Sequence, residues 1–65
     1  MKLRNVLKGH KTDRSVKVTN GVRACDWSGE GIEHIVKRYC PDFLEKKVVN
    51  VTKTYYGTTI IEVEL

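Results

Sequence analysis

The chain is poor in the residues that clip small domains together. It has two cysteines, Cys25 and Cys40, in 65 residues, too few for a disulfide scaffold. With His10 and His34 they form no Cys-x-x-Cys and no His-x-x-x-His pair, so the local clips of structural zinc sites are missing. Buried free thiols are the ordinary state of such cysteines, and a Cys25–Cys40 disulfide would need Cα atoms within roughly 7 Å. A reducing, cytoplasmic setting is the default expectation. No apolar run has the length of a signal peptide or a membrane span, so no membrane partner is expected. Repeats, low-complexity tracts and linkers are absent too. Residues 1–65 read as one small domain, and a chain of this size buries only about 60% of its unfolded surface. That leaves little room for an enclosed active site beside a core.

Patterns that carry catalysis are lacking as well. No Ser-His-Asp or Cys-His arrangement can be built from this spacing. Glu62 and Glu64 lie two apart on one strand face, where solvated carboxylates are the simpler reading. Ser28-Gly29-Glu30-Gly31 precedes a helix, yet it lacks the phosphate-loop pattern and its lysine, and Glu30 would repel phosphate. No catalytic residue, cofactor or metal ligand is assigned, and the chain reads as a non-enzyme.

Acid is scarce in the first third. Residues 1–23 contain Lys2, Arg4, Lys8, Lys11, Arg14, Lys17 and Arg23 against Asp13 alone, whereas residues 24–65 lean acidic, for a net charge of +4. A basic stretch of this kind is either a solvated surface or a set of phosphate contacts for nucleic acid. Nucleic-acid sheets also use exposed aromatics. Tyr55 and Tyr56 point to opposite faces of a hairpin tip, which makes Tyr56 a candidate contact, but no ribonucleoprotein-type motif accompanies it.

What is present is a clear alternation of patterns. Leu3, Val6 and Leu7 are spaced for a short helix, with Gly9 as its C-cap. Asn20-Gly21 lies between two β-prone runs and predicts a two-residue hairpin loop. That register pairs Thr19 with Val22, Val18 with Arg23, Lys17 with Ala24 and Val16 with Cys25, and puts Val16, Val18, Cys25 and Trp27 on one face. Ile32, Ile35, Val36, Tyr39, Phe43 and Leu44 follow a helical stripe, with Ser28 or Gly29 near the N-cap. Pro41 ends that helix near Tyr39 and opens a short second turn over residues 41–45. From Lys46 onward a second hairpin is predicted, with a three-residue loop Tyr56-Gly57-Thr58 and pairs Val49–Leu65, Val51–Val63, Lys53–Ile61 and Tyr55–Thr59.

The expected fold is therefore a two-layer α+β domain: short N-terminal helix, β-hairpin, helix, β-hairpin, forming a mainly antiparallel four-stranded sheet with one helix packed on a face. The expected core is Leu3, Val6, Leu7, Val16, Val18, Cys25, Trp27, Ile32, Ile35, Val36, Tyr39, Phe43, Leu44, Val49, Val51, Ile61, Val63 and Leu65.

Several segments carry a family resemblance: Lys2-Leu3-Arg4-Asn5-Val6-Leu7, Val16-Lys17-Val18, Trp27-Ser28-Gly29, Phe43-Leu44-Glu45-Lys46-Lys47-Val48-Val49 and Thr58-Thr59-Ile60-Ile61-Glu62-Val63. In order and pattern the chain resembles small bacteriophage and prophage proteins of Gram-positive gut bacteria. The resemblance implies a cytoplasmic accessory protein of a mobile element. That group has no known activity, so no residue inherits a role. Three functions follow as expectations. The first is a non-enzymatic interaction module that meets a protein partner, or a second copy, through a β-edge. The second is a nucleic-acid-binding domain using the seven basic residues. The third is a small-ligand-sequestering protein with its site at a dimer interface.

Overall fold

The computed structural model describes residues Met1–Leu65. Its elements are helix α1 (Leu3–Leu7), a 3₁₀ turn (Lys8–His10), strands β1 (Ser15–Thr19) and β2 (Ala24–Ser28), helix α2 (Ile32–Tyr39), a second 3₁₀ turn (Pro41–Glu45), and strands β3 (Val48–Lys53) and β4 (Thr59–Val63). The four strands form one sheet in the order β2-β1-β4-β3. Both hairpins are antiparallel, and the two are joined by a parallel β1–β4 pairing at the sheet centre. The fold is the expected two-layer α+β arrangement, with a mixed sheet.

The sheet buries one face. Val16 and Val18 of β1, Cys25 of β2, and Ile61 and Val63 of β4 meet Leu3, Leu7, Ile32, Val36, Cys40 and Phe43 from the helical layer. Val6, Ile35, Leu44 and Val48 pack around this cluster, half-buried. The alternating apolar residues of β1 and β4 point into the core, as a period of two requires.

Both hairpin registers differ from the expected ones by two residues. In the first, Thr19 pairs with Ala24 and Val18 with Cys25, so the loop is Asn20–Arg23. Asn20 does not adopt the positive φ that a two-residue loop would demand. Its side-chain carbonyl instead accepts from the Val22 and Arg23 N–H groups, at 3.0 and 2.8 Å, and holds a wider turn. In the second hairpin Lys53 pairs with Thr59 and Val51 with Ile61, leaving a loop at Thr54–Thr58. Thr54 closes it: its N–H donates to the Thr58 carbonyl at 2.8 Å, and its hydroxyl accepts from the Thr58 N–H at 3.1 Å. Gly57 supplies the positive φ, +87°. A shift of two keeps every side chain on its face, so the inward set survives the slip. A bulge between Val48 and Asn50 then breaks the register at Val49.

The helical boundaries also move slightly. Helix α1 runs straight into the Lys8–His10 turn, so Gly9 is not a left-handed cap. The α2 N-cap is Gly31, at φ +91°, rather than Ser28 or Gly29. Helix α2 ends at Tyr39 and Pro41 opens the second turn, as expected.

Five residues expected in the core are exposed: Trp27, Tyr39, Val49, Val51 and Leu65. Trp27 lies at the rim of edge strand β2, and its indole N–H donates to the Glu30 carbonyl at 2.9 Å. Tyr39 is the last residue of α2, Val49 sits in the bulge, Val51 lies on the other edge strand, and Leu65 follows β4. Cys40, not included in the expected core, is buried.

Fully buried Phe43 should be indispensable. Truncation of a buried Phe costs about 3–5 kcal/mol, comparable to the whole stability of a domain this small. Phe43→Ala is therefore expected to unfold the chain, Ile61→Val to cost about 1 kcal/mol, and exposed Tyr55→Ala to stay within about 0.5 kcal/mol. Urea denaturation followed by circular dichroism measures all three.

Candidate functional site

Folding distributes the seven N-terminal basic residues among different carboxylates. Lys2 and Arg4 both pair with Glu45, the lysine at 3.3 Å. Arg23 reaches both Asp42 oxygens, at 2.5 and 2.6 Å, and lies over the Phe43 ring, 4.7 Å from its centroid. These three therefore gather around the Pro41–Glu45 turn. Arg14 approaches Glu30 at 3.7 Å, on the other side of the domain's first hairpin. Lys8, Lys11 and Lys17 make no ion pair; Lys17 stands opposite Asp26 in the β1–β2 ladder. Lys11 lines an open, polar cavity with Glu30, Gly31, Glu33 and His34. The basic run is thus split in space and interleaved with acid.

Tyr55 and Tyr56 are both almost fully exposed at the β3–β4 tip, packed edge to face with centroids 5.5 Å apart. Cys25 and Cys40 are free and buried. Burial, and then its neighbour Cys40, push the Cys25 thiol up to about 11, so it remains protonated and unreactive at neutral pH. No three His, Cys, Asp or Glu side chains converge as a metal site would require.

One polar cluster was not apparent in the sequence. Asp13 accepts from His10 Nδ1 at 2.7 Å and from the buried Thr59 hydroxyl at 2.9 Å. The polar stretch after α1 is thereby tied to the first residue of β4. Ser15 and Thr58 share a further hydrogen bond at 3.0 Å, 43 residues apart in the chain. The His-x-x-Asp spacing was the local trace of this cluster; Thr59 had no local signal. The His10 hydrogen bond, followed by that of Thr59, holds the Asp13 carboxyl below its ordinary value against an opposing effect of burial.

The outer edge of β3 is open along most of its length. Residues 49–53 are all exposed. At the start of the strand, Met1 and Lys2 cover the edge: the Val48 N–H donates to the Met1 carbonyl at 2.8 Å, and Lys2 bridges Lys47. Beyond Val48 no backbone group of β3 bonds outside its ladder with β4. Val49 and Val51 are 59% and 44% exposed there. Alongside runs an open groove of about 330 Å³, with His10 and Asp13 on one wall, Val51, Thr52 and Lys53 on the other, and Thr59 between them. Strand β2 is the other edge; its backbone also bonds only within the β1–β2 ladder, and α2 packs against it.

Comparison with protein-family models, curated proteins and solved structures gives no match. No helix is long and apolar enough to cross a membrane.

The carboxyls of Asp13, Asp42 and Glu45 are all held low, each first by a hydrogen bond: from His10, Arg23 and Lys2 respectively. A carboxyl with a depressed native pKa binds fewer protons folded than unfolded. Its stabilisation is complete above the unfolded value near 4 and is lost as pH falls through the native one. The urea midpoint should therefore drop below about pH 4, and drop less steeply in Asp13→Asn. An equal slope in both proteins would remove Asp13 from this account.

Proposed function

We propose that this chain is a non-enzymatic interaction module that binds a protein partner by adding a strand to the outer edge of β3. The observation that carries the reading is the outer side of the strand from Val49 to Lys53, whose backbone bonds nothing beyond β4 and which includes exposed Val49 and Val51. Main-chain bonding to such an edge supplies affinity, and pockets beside it supply selectivity. The resemblance to phage and prophage proteins would make the partner a host or phage macromolecule.

The ion pairs favour this reading over nucleic-acid binding. Lys2, Arg4, Arg14 and Arg23 already face carboxylates, so phosphate would have to displace those partners.

The test is position-dependent photo-cross-linking in an extract. A photoreactive side chain at Val49 or Val51 is expected to give discrete protein adducts, whereas the same group at Lys37 on α2 gives none. Adducts independent of position would overturn the reading. So would tight, salt-resistant binding of labelled DNA or RNA between about 50 and 200 mM salt, where phosphate-driven affinity ordinarily collapses.

A further inference from the structure

We infer that Cys25 and Cys40 form a redox site, a dithiol that a low-molecular-weight disulfide converts into an intramolecular bridge between β2 and the end of α2. The inference goes beyond the strand-addition reading and does not depend on it. Both cysteines are free and buried, and both belong to the same core cluster. The Cys40 side chain is a direct neighbour of the Cys25 thiol. In a reducing compartment such a pair rests as thiols, and a bridge between them is transient and redox-sensing.

Folding holds the two backbones in place without help from the sulfurs. Cys25 lies in the β1–β2 ladder opposite Val18. Cys40 is the C-cap of α2: its N–H donates to the Val36 carbonyl at 2.8 Å, and its carbonyl accepts from the Phe43 N–H at 3.0 Å. Arg23 stands two positions before Cys25, and Asp42 two positions after Cys40. Arg23 Nη2 donates to both Asp42 oxygens, at 2.5 and 2.6 Å, so this ion pair clamps the same two segments that bear the thiols. The guanidinium also adjoins the Cys40 side chain. A disulfide forms only between segments held at short range, and the clamp holds these from the solvent side.

Two protein thiols and one small disulfide give one protein disulfide and two small thiols. One cysteine sulfur attacks the small disulfide and expels a thiolate, leaving a mixed disulfide. The other attacks the protein sulfur of that mixed disulfide, forms the Sγ–Sγ bond and expels the second small thiolate. The two protein thiol protons pass through solvent to the released thiolates. The protein pair loses two electrons and the small disulfide gains them. In the closed fold the raised Cys25 thiol keeps this slow, so exchange passes through local openings. The position of the equilibrium is set differently. A dithiol that holds a stabilised thiolate favours its reduced form. Burial works against a thiolate at Cys25, so charge does not keep this pair reduced. The bridge also closes the loop of residues 26–39, which restricts the unfolded chain.

The test equilibrates the full chain with mixtures of reduced and oxidised glutathione, in native buffer and in concentrated urea. Each sample is quenched with acid and read by intact mass and peptide mapping. The expected native product is a monomer lighter by two hydrogens, with Cys25 linked to Cys40. The effective concentration of the two thiols for each other should be at least about tenfold higher in native buffer than in urea, the equivalent of one 1.4 kcal/mol step. The oxidised chain should then unfold at a higher urea concentration than the reduced one, and dithiothreitol should restore the original midpoint. An effective concentration no higher in native buffer than in urea would overturn the inference. So would glutathione adducts or disulfide-linked dimers as the main native product, or an oxidised chain with a lower urea midpoint.

Discussion

The parallel pairing of β1 with β4 is the contact on which the rest of the structure depends. It joins two hairpins that are otherwise separate, and it brings Val16 and Val18 beside Ile61 and Val63. Without it neither hairpin has a face large enough to cover, since isolated two-stranded units are marginal in water. The residues in register lie more than 40 positions apart, so the loop-closure cost is substantial. The Asp13–Thr59 and Ser15–Thr58 hydrogen bonds lie at the entry to this pairing. They fix its register from the polar side while the valines and isoleucine fix it from the apolar side.

Placing β1 and β4 at the centre also decides which strands are left at the edges. β2 and β3 fall outermost, and the helical layer does not treat them alike. Helix α2 packs against β2 and α1. β3 retains cover only at its start, where Met1 and Lys2 reach it. Val51 is exposed because of strand order, and Val49 because it also sits in the bulge.

This explains what was legible in the chain. Alternation of apolar residues fixes faces, and the inward set Val16, Val18, Cys25, Ile61 and Val63 was readable for that reason. Alternation cannot distinguish registers two residues apart, because both put the same side chains inward. The choice between them was made by Asn20 and Thr54, whose side chains bond backbone within their own loops and lengthen both turns. Burial at the edges was not readable, since it depends on which strand lies next to which. The spatial arrangement of the basic N-terminal third was not readable for a related reason. Its cations are contiguous in sequence, but three of them converge on Asp42 and Glu45 of the distant Pro41–Glu45 turn.

An exposed apolar residue on its own needs no explanation, since folded surfaces are largely apolar. The β3 edge differs because exposed valines, unbonded backbone and a groove coincide on one strand. A chain this short has little apolar surface to spare from its core. Covering β3 with its own helix would raise stability and remove the edge. Leaving it open exposes an aggregation hazard that must be managed at the strand itself. The Met1–Lys2 cover and the bulge at Val49 manage it at the start of the strand. A barrier made of proline or a tight bulge along the whole strand would exclude every partner equally. A bulge confined to the start of the strand leaves the edge open from Asn50 to Lys53.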